Sequence, residues 1–203
     1  MFTAIVAVLG FVTPGYSHAN HTISRLAIEK YGWIQTLNFL QFAMGLAAAG
    51  AVIAKRMYRE SSRRIIRTLF SFSAALLVLA ALTPTDPIED MRFSLRIFSP
   101  TGAMHVGTVI VFLLISPLGI SRLLRALQAE PDYNHLTPLT AFVGYTALVA
   151  SIVWFGFYMT GLLLEYRGIF QKAIALLVII WIELMVKQTT TRLRRQKPIK
   201  QVA

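Results

Sequence analysis

Six apolar blocks, separated by charged or helix-breaking residues, constrain this chain more than any other feature. They run from Phe2 to Pro14, Ile34 to Ala54, Thr68 to Thr83, Gly102 to Ile120, Thr140 to Leu164 and Ile169 to Val186. About 20 apolar residues in a helix cross a hydrocarbon core about 30 Å thick. The composition agrees: 56% of residues are hydrophobic and 14% charged, against about 45–50% and about 25% in soluble domains. The expected fold class is all-α, a polytopic integral membrane protein formed as a bundle of six transmembrane helices in one domain, residues 1–203.

The first block is the weak member. Phe2 to Pro14 gives about 20 Å of helix at about 1.5 Å per residue. Three expectations follow: a start further upstream, a helix continuing past Pro14, or a locally thinned membrane. A fourth is a signal peptide, because Tyr16-Ser-His-Ala19 loosely resembles a small-residue cleavage site, although no positive segment precedes it.

Charge sets the expected orientation. Fourteen of the 20 Lys and Arg residues fall on one side of a six-pass arrangement: the basic loop 55–67, Arg122 and Arg125, and the basic tail 187–203. The positive-inside rule makes that side cytoplasmic, with both termini there and loops 15–33 and 84–101 outside. Anionic lipids at the cytoplasmic face then account for the net charge of +11. Nucleic acid is not the expected partner, because Tyr58 is the only aromatic residue among the cations of loop 55–67 and the tail has none. The absence of cysteine excludes disulfides, thiolate metal sites and cysteine nucleophiles.

Polar residues gather on the expected outer side. "GYSHANHTISRL", Gly15 to Leu26, carries His18, His21 and Ser24, while Asp86 closes the third block and His105 opens the fourth. Neutral imidazoles and a carboxylate suit zinc at about 2.0–2.2 Å, so His18, His21, His105 and Asp86 are candidate ligands of a site that activates water. Ser24, His105 and Asp86 also form a candidate nucleophile, base and orienting acid, without a G-x-S-x-G elbow. The alternatives are a metal-free polar pocket and histidines that merely face water. The segment "TPTDPIEDMRFSLRIFSPTGAMH" includes an amphipathic stretch expected to lie along the interface.

Within the second block Gln35, Asn38 and Gln41 recur every three residues and suit hydrogen bonding between helices or the lining of a polar cavity. Glu183 is an acid inside the last block; a pair with Lys187 is the simpler reading and a proton relay the alternative. Trp154, Phe155, Phe157 and Tyr158 fit packing and an aromatic belt. With no histidine placed deep in a block, a haem-binding bundle is excluded.

The runs "PGYSHANHTISRLA", "LTPTDP", "GAMHVG", "GLLLEYRGIFQKAI" and "IELMVKQ" resemble, in order and over nearly the whole chain, bacterial six-pass membrane proteins of domain-of-unknown-function family nine-nine-eight. The positions that carry the resemblance are Tyr16, Ser17, Thr22, Ile23, Ser24, Leu26, Pro84, Asp86 and His105. Arg25 departs from it, standing where that family more often has an acid. The resemblance implies a bacterial inner membrane and brings no settled activity. A looser likeness is to alkaline ceramidase-like membrane hydrolases, through the Ser17–His21 spacing, but their His-x-x-x-His pair is missing.

Three functions are therefore expected, in descending order. The first is a non-enzymatic accessory, assembly or lipid-interacting component with a membrane protein partner. The second is a metal- or serine-dependent hydrolase with its site on the outer face. The third is a small transporter or sensor.

Overall fold

In hydrocarbon a backbone N–H or C=O has no water to bond, so each apolar block must close its hydrogen bonds internally as a helix. The computed structural model describes residues 1–87 and 99–195, and among them every regular element is helical. In chain order these are α1 (Phe2–Val12), α2 (Gly32–Ala54), α3 (Glu60–Leu82), α4 (Pro100–Gln128), α5 (Thr137–Thr160) and α6 (Arg167–Arg195). Short 3-10 turns cover Ile23–Ile28, Asn134–Leu136 and Leu164–Tyr166. The five helices α2 to α6 are long and apolar enough to cross a membrane, so the chain is a helical membrane bundle.

The expected sixth crossing is not a full one. α1 has 11 residues, about 16 Å of helix, and Thr13 leaves it in an extended conformation, as the residue before Pro14 favours. Its first residue reaches only the middle of α2, where the Phe2 ring stacks on Phe42 with centroids 4.7 Å apart. Asn38 Nδ2 donates to Phe2 O at 3.1 Å and to Gln35 Oε1 at 3.4 Å. Two members of the polar stripe on α2 thus tie the short helix to the long one.

The basic segments are more helical than their charge suggests. α3 begins at Glu60 and α6 continues to Arg195, so loop 55–67 shrinks to a turn over 55–59 and much of tail 187–203 is helix. Long Lys and Arg stems allow a helix to run past the hydrocarbon while its charges reach water. The interfacial stretch expected at 88–98 lies outside the described residues. Glu183 and Lys187 are both exposed, and no ion pair between them occurs among the described residues.

α2 packs on α3, α3 on α4, α4 on α5, α5 on α6 and α6 back on α2, which makes a closed ring of helices. Its basic end is tied by buried polar bonds. Tyr133 OH and Thr189 Oγ1 are 3.0 Å apart, joining the α4–α5 loop to α6. Glu130, with 0% of its surface exposed, accepts from the backbone N–H groups of Tyr58 at 2.8 Å and Arg59 at 2.9 Å. This carboxylate meets the positive end of the α3 dipole and satisfies two donors at the start of that helix.

Removing that carboxylate takes the acceptor from both part-buried donors. Glu130→Ala should lower the unfolding free energy of the purified protein by about 3 kcal/mol, and Glu130→Gln, which keeps one acceptor, by about half as much. Denaturant titration in detergent checks this; a change within error for both variants would contradict the capping role.

Candidate functional site

The end of the bundle opposite the basic one is built by lashing the opening loop to the start of α6. Gly168 N and Ile169 N donate to Ala19 O at 2.8 and 3.1 Å. Arg167, 2% exposed, donates from Nε to Asn20 O at 3.1 Å. Lys172 Nζ donates to His21 O at 2.7 Å and His18 O at 3.1 Å, while Gln171 Oε1 accepts from Ile23 N at 2.8 Å. The first N–H groups of α6 have no partners within the helix, so the loop carbonyls supply them. Gly168 is required by this close approach: a Cβ there would meet the carbonyl oxygens of Ala19 and His21.

His18 and His21 serve the loop itself. His21 Nδ1 accepts from Ser17 N at 3.0 Å, which places the ring proton of a neutral His21 on Nε2. The His18 ring meets Tyr16 edge-on at 5.3 Å and Phe11 at 4.9 Å. Burial, and secondly the nearby Lys172 cation, hold His18 below its ordinary pKa of 6.5. A cation beside the ring also opposes binding of a second cation there.

His105 and Asp86 hold the junction of α3 and α4. His105 Nδ1 lies 2.9 Å from Ala80 O and 2.6 Å from Thr83 O. Carbonyl oxygens only accept, so Nδ1 carries the proton and caps the unpaired carbonyls at the end of α3. Asp86 accepts from Ser99 N and Ser99 Oγ, both at 2.8 Å, and Ser99 Oγ in turn accepts from Gly102 N at 3.0 Å. A carboxylate is thereby fixed over the N-terminus of α4, where the helix dipole favours negative charge. Gly102 leaves room for it, since a Cβ at that position would strike the Asp86 carboxylate.

The candidate sets are therefore only partly brought together. Among the described residues no three His, Asp or Glu side chains gather so as to hold a metal, and the zinc set His18, His21, His105 and Asp86 is divided between the two junctions. The triad is likewise open: backbone carbonyls orient His105, while the Asp86 carboxylate is bonded to Ser99. Ser24 and His105 do line one cavity. Together with Gln171 they are the polar side chains lining a cavity of about 100 Å³ enclosed by the helix ring.

The remaining walls of this cavity are apolar, among them Phe42, Leu77, Val109, Phe112, Ile174 and Val178. A second apolar cavity of about 50 Å³ shares Phe42, Phe112 and Val178 with it and extends toward Trp181. A crevice of about 150 Å³ between α1 and α6 shares Phe2 and Ile23 with the first cavity and is bordered by His18 and Lys172. His105 Nε2 is buried and has no hydrogen-bond partner among the described residues. The Ser24 hydroxyl lies 3.4 Å from Thr22 Oγ1. Such a site offers one imidazole acceptor, one hydroxyl and one amide around the end of an apolar channel.

Two residues central to this end, Arg167 and Gln171, were not singled out from the sequence. Their signal was present as polar residues at the start of an apolar block, "EYRGIFQKAI". Their partners are backbone carbonyls and an N–H about 150 positions away, which no side-chain pattern discloses.

Two outcomes test these roles. Lys172→Met should raise the His18 pKa toward 6.5, read by NMR titration of the ring. In the wild type the native state binds fewer protons at His18 than the unfolded chain below that value, so this group's contribution to stability falls as pH drops through it. Asp86→Ala should lower stability by about 1 kcal/mol through loss of the cap, measured by thermal unfolding; an unchanged midpoint would release Asp86 for another role.

No curated protein and no solved structure matches the chain. A family model described as "Protein of unknown function (DUF998)" matches residues 1–186, from α1 into α6 and including both junctions, and the chain belongs to that family.

Proposed function

We propose that the protein is a non-enzymatic, lipid-interacting membrane component that holds a single-chain amphiphile with a neutral polar end in its central cavity. The observation that carries this reading is the pairing of apolar walls with Ser24, His105 and Gln171 at one end. Volume favours one slender chain, because about 100 Å³ continued by about 50 Å³ takes a run of methylenes and not two acyl tails. Charge favours a neutral polar end, because among the described residues no Asp, Glu, Lys or Arg lines the cavity and a buried ion without a partner is strongly disfavoured. An alcohol or a similar donor satisfies the acceptor His105 Nε2, and the crevice between α1 and α6 gives it a lateral way in from the bilayer.

In this reading the protein lies in a bacterial cell membrane with its basic end, including Lys187, in the cytoplasm and the loop bearing His18 and His21 outside, following the positive-inside rule. The end of α6 is then cytoplasmic, while the start of α1 lies at the depth of the middle of α2. A second reading, hydrolysis of the bound molecule by Ser24 with His105 as base, is favoured by their both lining this cavity. Asp86 has no part in it, since its carboxylate is bonded to Ser99.

Gentle extraction followed by native mass spectrometry and lipid analysis should find one neutral single-chain amphiphile per protein. Val109→Trp, which fills the cavity without touching its polar end, should empty it while helix content is kept. His105→Phe should weaken retention about fivefold, the equivalent of one lost hydrogen bond. Protein that emerges from its own membrane with no such molecule would overturn the binding reading. Stoichiometric cleavage products, lost in Ser24→Ala, would replace it with the hydrolase.

A further inference from the structure

The basic end carries a separate cleft of about 350 Å³, lined by Lys55, Arg56, Arg63, Tyr58, Asp132 and Thr189 among others. It is assembled where the turn between α2 and α3, the α4–α5 loop and α6 converge. Three cations and one acid line it. The side chains of Lys55 and Arg56 have no protein partner among the described residues. Arg63 is partly engaged: its terminal nitrogens donate to Met57 O at 3.0 Å and Glu60 at 3.1 Å, while Nε is buried with no hydrogen-bond partner. The single lining acid, Asp132, accepts from Tyr58 OH at 3.4 Å.

The backbone N–H of Tyr58 in the lining, and that of Arg59 beside it, are already taken by Glu130. Side chains must hold an anion here. A guanidinium held on two of its nitrogens is fixed in orientation, which suits a planar or tetrahedral oxyanion better than a freely moving ammonium does. Lys55 and Arg56 then add charge without having to break an existing bond. The Tyr58 hydroxyl is turned to Asp132 and the Thr189 hydroxyl donates to Met185 O at 2.8 Å, so the three cations carry the recognition.

We infer that this cleft is a specific binding site for a phosphate group, distinct from the apolar cavity at the other end. The phosphate is that of an anionic lipid headgroup or of a free phosphate, both of which present the same oxyanion. Arg122 and Arg125, exposed on α4 and absent from the lining, supply a comparison at the same end of the bundle. A site made by the cleft depends on Lys55 and Arg56; smeared surface attraction depends equally on any two cations.

The test uses the full chain and three probes: nanodiscs containing phosphatidylglycerol, nanodiscs of phosphatidylcholine alone, and inorganic phosphate added to lipid-free detergent. Native mass spectrometry of the wild type should retain one phosphatidylglycerol in preference to phosphatidylcholine. The double variant Lys55→Gln/Arg56→Gln should lose about thirtyfold in that retention, as expected for two cations near an anionic group. Arg122→Gln/Arg125→Gln should stay within about twofold. A rise in thermal midpoint with inorganic phosphate, absent in the first double variant, would assign the site to free phosphate. Retention of the lipid without that rise would assign it to the headgroup. Equal losses in both double variants, or a wild type indifferent to all three probes, would overturn the site.

Discussion

The lashing of the opening loop to the start of α6 is the interaction on which the rest of the histidine-bearing end depends. A helix entering a bilayer has unpaired N–H groups in its first turn, and leaving them bare in a water-poor region is costly. Here Ala19, Asn20, His18 and His21 turn their carbonyls to Gly168, Ile169, Arg167 and Lys172. That exchange fixes the last helix against the first loop and closes the ring at one end. It also sets Ser24 and Gln171 in the lining of the cavity that His105 borders. The polar end of the cavity is thus a by-product of satisfying backbone groups.

The same logic operates at the basic end with a different chemistry. There one buried carboxylate, Glu130, does for α3 what loop carbonyls and side chains do elsewhere. Because Glu130 neutralises the helix start internally, the surrounding cations are left over for something outside the protein. An anion-accepting cleft and an apolar cavity at opposite ends of one ring follow from two ways of ending helices. The central cavity in turn exists because the five long helices meet their neighbours round the ring, leaving α3 and α6 to face each other across bulky apolar side chains.

Much of the fold was legible before any coordinates. Apolar block length located the five long helices, and the contacts from Tyr58 to Glu130 and from Tyr133 to Thr189 bring the α2–α3 turn, the α4–α5 loop and α6 to one end. The candidate site was half legible. Ser24 and His105 were named and they do share a cavity, whereas Asp86 and the two loop histidines turned out to hold backbone and neighbouring side chains. Side-sharing in a membrane topology narrows depth but says nothing of azimuth around the bundle. Polar residues at one depth can therefore stand on separate junctions.

The sequence by itself determined that this is a helical membrane protein of its family, because hydrocarbon thickness imposes a minimum apolar length that can be counted residue by residue. Only the tertiary structure decided that α1 reaches no further than the middle of α2, that His105 faces backbone carbonyls on one side and a cavity on the other, and that Glu130 is buried. Each of these rests on a contact between residues far apart in the chain. Such contacts carry no local period, so the packed ring alone could place them.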